Sequence, residues 1–175
     1  MKILDLGCGN RKYRSNKNMV IGIDNIKLKD VDIVHDLNKF PYPFKNNEFD
    51  LIYTSHTLEH LQDLDKVFLE LKRITKKNGR IKIRGPHFSC GISYRDPTHK
   101  RLFSYFTFDY FTDECFYTKS KFKIINRKLN FTRLNYTLLN FFINPIINLS
   151  PLIYERFFCW IFPCAEVLAE LEVKK

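Results

Sequence analysis

Short apolar runs bounded by polar turns recur through the first half of the chain: Lys2 to Leu6, Val20 to Asp24, Val31 to His35, Phe49 to Thr54 and Arg80 to Arg84. Their length and their flanking glycine, asparagine and proline residues predict buried strands of an α/β sheet. Between the fourth and fifth runs, Leu64, Val67, Phe68, Leu71 and Ile74 return every three or four residues, which marks one helical face, and Asn78-Gly79 supplies a left-handed stop. That stretch reads as a complete βαβ unit. The two earlier crossovers, Asn10 to Asn18 and Asn25 to Asp30, are shorter than the dozen or so residues a parallel connection usually takes. Full helices do not fit there. A parallel sheet is normally covered on both faces, so a later part of the chain or a second copy of it is expected over the side left bare.

The apolar segment Leu134 to Cys164 is the candidate cover. It lies between two further strand-like runs, Phe122 to Phe131 and Glu166 to Val173, and so reads as a helical insertion before the last strand. Asn144, Pro145, Asn148, Pro151, Glu155 and Arg156 interrupt it, and no run reaches the 18 or more apolar residues of a membrane span. Pro145 and Pro151 should divide it into short helices, the last running from about Leu152 to Phe162 with Glu155 and Arg156 on its wetter side. Phe141, Phe142, Ile146, Ile153, Phe157, Trp160 and Ile161 are expected to be covered by the sheet, by a homodimer partner or by a membrane surface.

Composition narrows the class. With 175 residues and 45% hydrophobic content the chain reads as one globular domain over 1–175, with no repeat or linker, and not as a disordered polymer. A formal charge of +10 suggests an anionic partner such as nucleic acid or an acidic membrane face, or else a solvated basic surface. Cys8, Cys90, Cys115, Cys159 and Cys164 are odd in number and form no CxxC, so no disulfide framework or zinc ribbon is suggested. The first strand opens at Lys2 with no signal peptide ahead of it, and a reducing cytoplasmic setting fits best, with peripheral membrane contact left open.

The strongest chemical signal is ILDLGCGN at Ile3 to Asn10, followed by Asp24 and Asn25 at the end of MVIGIDN. A strand running into a glycine turn brings backbone N–H groups close to a nucleotide, and a carboxylate about 20 residues on can hold ribose hydroxyls. Lys12 stands where a dinucleotide fingerprint needs its third glycine, which argues against a pyrophosphate ligand. Cys8 reads as turn packing.

Two further clusters carry candidate chemistry. HTLEH at His56 to His60 matches the HxxEH pattern of inverted zinc metalloproteases, but its place just past the fourth strand makes that a coincidence, and no metal is expected there. Glu59 is placed to cap the following helix, while Leu58 and Leu61 should pack inward. In GPHFSCGISYRDPTHKR, His87, Cys90, Asp96 and His99 fall in a loop at the carboxyl edge of the sheet, where open α/β sheets bind ligands. Their spacing fits no standard zinc pattern. His99 or His87 is the candidate general base. RLFSYFTFDYF could stack on nucleic-acid bases, although Phe103, Phe106 and Tyr110 have the spacing of a core helix face.

The succession LDLGCGN, IGIDN, VHDL, PYPF, FDLIYTSHTLEHL, RGPHF, DPTHKR and ELEVKK resembles the small class I S-adenosylmethionine-dependent methyltransferases of the type 11 family. The resemblance implies a Rossmann-like α/β sheet, mostly parallel with an antiparallel last strand, here with reduced first helices. It also implies that Asp5, Gly7 and Gly9 shape the methionine side of an S-adenosylmethionine pocket, that Asp24 with Asn25 takes the ribose, that Asp36 and Leu37 flank the adenine, and that Ser55 and His56 face the site. The implied reaction is methyl transfer to an oxygen or nitrogen nucleophile of a small-molecule, lipid-linked or sugar-linked acceptor. The alternatives are an RNA or DNA methyltransferase, for which the NPPY-type motif of amino-group methylation is missing, and a non-catalytic binding module.

Overall fold

The computed structural model describes residues 1–133 and 137–175; Leu134, where the insertion was expected to start, lies outside them. Seven strands form one sheet: β1 (Lys2–Leu6), β2 (Met19–Asp24), β3 (Ile33–Val34), β4 (Phe49–Ser55), β5 (Thr75–Pro86), β6 (Phe122–Asn130) and β7 (Glu166–Val173). Their order is β3-β2-β1-β4-β5-β7-β6. Every neighbouring pair from β3 to β5 is parallel, and β7 runs antiparallel to both β5 and β6. This is the mostly parallel, Rossmann-like sheet the motifs implied.

One face of the sheet is dry. Helix α1 (Leu64–Ile74) starts at Asp63, whose carboxylate accepts the Lys66 N–H at 3.0 Å. It buries Val67, Phe68, Leu71 and Ile74 completely against the sheet. Glu59 therefore does not cap this helix. The helix ends at Ile74, four residues before Asn78-Gly79, because Thr75 turns extended and donates its hydroxyl to the Leu71 carbonyl at 2.6 Å. Asn78, at φ 63°, instead shapes a turn inside the long β5. After the short helix α2 (Gly91–Arg95), a 3-10 helix at Thr107–Phe111 adds Phe108 and Phe111, with Phe103 beside them, to the same core. Phe106 and Tyr110 stay outside it, and the buried trio is withdrawn from any base-stacking role.

On the opposite face no helix among the described residues lies over the short crossovers. Tyr13, its backbone N–H held by the Asp5 carboxylate at 2.6 Å, lays its ring 4.7 Å from that of Tyr53 and covers part of it. Further along, the exposed side is made polar: Arg80 pairs with Glu172 at 2.9 Å, Lys82 with Glu170 at 3.9 Å and Arg84 with Glu166 at 2.7 Å. A sheet face surfaced with cross-strand ion pairs does not require the cover the sequence led us to expect.

The insertion sits elsewhere. Helix α3 (Thr137–Leu149) runs through Pro145 without breaking, and α4 (Pro151–Ile153) leads into a π-helical turn at Tyr154–Phe158, short of the expected helix to Phe162. Asn140, Asn144 and Asn148 fall four residues apart and so share one helical face. Their side chains bond the edge of the sheet: Asn148 Oδ1 accepts the Leu129 N–H at 2.7 Å, Asn144 Oδ1 that of Phe131 at 2.8 Å, and Asn140 Oδ1 that of Thr132 at 2.8 Å. With the polar face turned in, Leu138, Phe141, Phe142, Ile146 and Leu149 point outward, and so do Ile153, Phe157, Trp160 and Ile161 beyond them. Among the described residues of this region only Ile147, Tyr154 and Cys159, with Cys164 after it, are buried. Glu155, expected in water, turns inward to His87.

Candidate active site

A cavity of about 380 Å³ opens at the carboxyl ends of β1, β2 and β4, within the few hundred Å³ typical of small-molecule sites. Gly7, Gly9, Asp24, Asn25, Asp36, Leu37 and His56, all among the candidate site residues, line it together with Asn38, Thr57, His60 and Leu61. Gly7 and Gly9 both take positive φ, 74° and 54°. At Gly7 a Cβ would come within 2.1 Å of the Thr57 hydroxyl, so no other residue fits; at Gly9 a Cβ would point into open space but would strain the turn. Thr57, missed by the sequence reading, anchors this approach by sitting against the carbonyls of Leu6 and Gly7.

Asp24 Oδ2 accepts the Gly9 N–H at 2.9 Å and Oδ1 that of Ile26 at 3.4 Å. These bonds fix the carboxylate at the cavity wall and leave it lone pairs, since an ionised carboxylate can accept about four hydrogen bonds. Asp36 holds the Asn38 N–H at 3.0 Å, chiefly through which its carboxyl lies below its ordinary range. Leu37, nearly fully buried, supplies an apolar wall beside these carboxylates. The donor and acceptor set therefore fits a nucleoside with a free ribose and no phosphate.

Asp5 and Ser55 do not line the cavity. Asp5 is buried beneath the turn; burial pushes its carboxyl up to about 6, opposed by the Tyr13 N–H and by Lys12 and reinforced by Asp24. It shapes the site by holding the loop. The thiol of Cys8, which faces the Asp30 carbonyl at 3.7 Å, is pushed up to about 12 by burial and nearby carboxylates, as turn packing would have it.

His56 is a positive-φ residue at 55°, a strained backbone of the kind that concentrates at functional sites. Its Nε2 lies 2.8 Å from Glu166 Oε1, and Arg133 Nη2 sits 2.8 Å from Nδ1 and 2.7 Å from Nε2 of the same ring. Burial opposes charging of the ring, but the Glu166 and Glu59 carboxylates outweigh it and raise its pKa. Glu166 is itself buried, yet the hydrogen bonds from His56, Arg84 and Asn130 overcome desolvation and bring it down to about 2. No local pattern announced Glu166, because its partner His56 lies 110 residues away in sequence.

The two histidines nominated as bases separate. His87 is wholly buried, its Nδ1 2.8 Å from the Ser89 hydroxyl and its Nε2 3.1 Å from Glu155, so it does not face the cavity. His99 packs its ring 4.7 Å from that of His60, one place behind the cavity wall.

Sheet order, the glycine turn and the carboxylates at and just beyond the ends of β2 and β3 together have the arrangement of a class I methyltransferase fold. Residues 4–83 match the family model described as a methyltransferase domain. Among solved structures, an S-adenosylmethionine-dependent methyltransferase from Archaeoglobus fulgidus is 17% identical, with a TM-score of 0.69 over 98% of this chain and 85% of that one. A second from Aquifex aeolicus is 16% identical, with a TM-score of 0.59 over 98% of this chain and 81% of that one. The YcgJ protein from Bacillus subtilis is 16% identical, with a TM-score of 0.60 over 99% and 92%. No curated protein matches in sequence. Residues 4–83 thus resemble the methyltransferase-domain family, and the chain as a whole shares the fold of these solved methyltransferases.

Proposed function

We propose that this enzyme methylates an oxygen or nitrogen nucleophile on a lipid-linked acceptor, working at a membrane surface. The observation that carries the reading is the outward-facing apolar side of the insertion, whose side chains have no cover among the described residues. Isolated exposed apolar residues are ordinary, but a contiguous patch of this kind marks an interaction surface. Within it, Ile143, Ile146, Leu149, Ile153, Phe158 and Phe162 border an almost purely apolar groove of about 470 Å³. The exposed aromatic side chains favour a membrane interface, and the charge of +10 on the whole chain favours an anionic one. Among the described residues no helix is long and apolar enough to cross a membrane.

S-adenosylmethionine, when bound, supplies a methyl group on a sulfonium that leaves readily. Asp24 and Asn25 would take the ribose, Asp36 and Leu37 the adenine side, and Gly7, Gly9 and His56 the remainder. The residues then contribute mainly by holding the acceptor in line at attack distance. The test has two arms. Sedimentation with anionic vesicles should retain the protein more than zwitterionic vesicles do, and methyl label from the donor should enter a lipid extract. Label appearing in RNA, or in water-soluble products without vesicle binding, would replace the lipid acceptor with a nucleic acid or a free small molecule.

A further inference from the structure

Glu59 lies in the 3-10 turn Leu58–His60 with its side chain fully buried, and neither of its oxygens has a hydrogen bond among the described residues. A buried carboxylate left this way is strongly disfavoured unless a cation answers it. His56 Nδ1 stands 3.3 Å from Oε1, without hydrogen-bond geometry, and is already engaged through Nε2 with Glu166. His99 Nε2 lies 4.0 Å from the same oxygen. Glu59, His60 and His99 each offer a ligand atom, all within 4.8 Å of one another.

Outer partners orient both rings. His99 Nδ1 lies 2.9 Å from the Ser93 carbonyl, which can only accept, so the ring proton sits there and Nε2 keeps its lone pair toward Glu59. The Thr98 hydroxyl donates to Asp96 at 2.6 Å and therefore accepts from His60 Nδ1 at 2.8 Å, leaving His60 Nε2 as that ring's acceptor. A histidine whose second nitrogen is fixed by a carbonyl or a relayed carboxylate is arranged as metal-binding histidines are. The two segments are also laced together: Lys100 N–H donates to the Glu59 carbonyl at 2.8 Å, and Arg101 donates to the carbonyls of Leu58 at 3.1 Å, Gln62 at 2.8 Å and Leu61.

We propose that Glu59, His60 and His99 bind a divalent transition-metal ion of the zinc type at the rim of the cavity that His60 lines. Two imidazoles and one carboxylate form a donor set that zinc accepts with a further position open. Ligand distances of about 2.0 to 2.2 Å require the three groups to draw in by roughly 1 Å. An acceptor oxygen in the open position would be polarised there; that use rests on the methyl transfer proposed above, whereas binding does not. The proposal departs from the expectation that HTLEH holds no metal, because His99, 39 residues beyond His60, completes the set only in the fold.

Tag-free protein stripped with a chelator and titrated with Co²⁺ and Zn²⁺ tests this. One equivalent should bind, with visible Co²⁺ bands and no thiolate-to-metal absorption. His60→Asn and His99→Asn should each weaken binding tenfold or more, as should Glu59→Gln, with circular dichroism unchanged. Should Glu59→Gln fail to fold, the two histidine variants carry the test. Lack of saturable binding, affinity that survives both histidine variants, or a thiolate band marking cysteine ligation would overturn the site. Metal bound as described in a protein that transfers no methyl to any acceptor would instead sink the proposed function and leave the metal site standing.

Discussion

Helices α1 and α3 are both apolar on one side and polar on another, yet they are installed in opposite senses. α1 turns Val67, Phe68, Leu71 and Ile74 into the core and leaves its charges outside. α3 turns Asn140, Asn144 and Asn148 inward to the edge of the sheet and leaves Phe141, Phe142 and Ile146 outside. Amphipathicity therefore says that a helix has two faces, not which one the rest of the molecule wants. For α3 the decision falls to unpaired backbone groups at and just beyond the end of β6, which three amides in register can satisfy.

If the two helices differ as described, truncation should hurt α1 most. Phe68 stacks on Phe111 with ring centroids 3.9 Å apart, and Phe68→Ala should cost about 3 to 5 kcal/mol, read as a fall in the denaturation midpoint. A smaller loss would mean that the dry face is looser than α1 suggests.

The loop-covered face poses the same question with a charge. Asp5, pushed up to about 6 from an ordinary 3.8, is stabilised in its protonated form by folding. That contribution is fully present below about pH 4 and is lost as pH rises through 6. Relative to Asp5→Asn, the wild type should lose stability on the order of 3 kcal/mol between pH 4 and pH 8 in chemical denaturation. A flat difference would show that water reaches beneath the Tyr13 loop.

On α3 the polar side should matter more than the apolar one. Asn148→Ala leaves both the N–H and the carbonyl of Leu129 without their side-chain partner, and should cost about 1 to 3 kcal/mol. Phe141→Ser with Ile146→Ser should change stability by no more than about 0.5 kcal/mol each, while reducing vesicle sedimentation. Marked destabilisation by that pair would mean that the outward face is covered in solution.

Most of the sheet was legible because its strands carry short apolar runs bounded by turn residues; β1 and β7 fall at the expected positions. The cavity was legible where its residues are adjacent in sequence, as in Gly7 and Gly9 or Asp36 and Leu37. What escaped depends on distant pairing. Glu166 looks like the first residue of a strand until His56 and Arg84 are beside it, and His99 resembles one more loop histidine until Arg101 ties it to the turn after β4. The orientation of α3 escaped for a related reason: asparagines spaced by four read as interruptions of an apolar run, and nothing nearby in sequence reveals the carbonyls and N–H groups waiting for them.

Those asparagines have a consequence for assembly. Asn148 accepts the Leu129 N–H at its Oδ1 and donates from its Nδ2 to the Leu129 carbonyl, and Asn140 treats Thr132 likewise, so each primary amide imitates a peptide group of a neighbouring strand. The sheet margin from Leu129 to Thr132 is thus plugged by side chains and closed to strand exchange with another molecule. Growth into a continuous intermolecular sheet is blocked along that stretch, and sticking between molecules there is diverted to the greasy outer surface of α3, where a bilayer can compete for it.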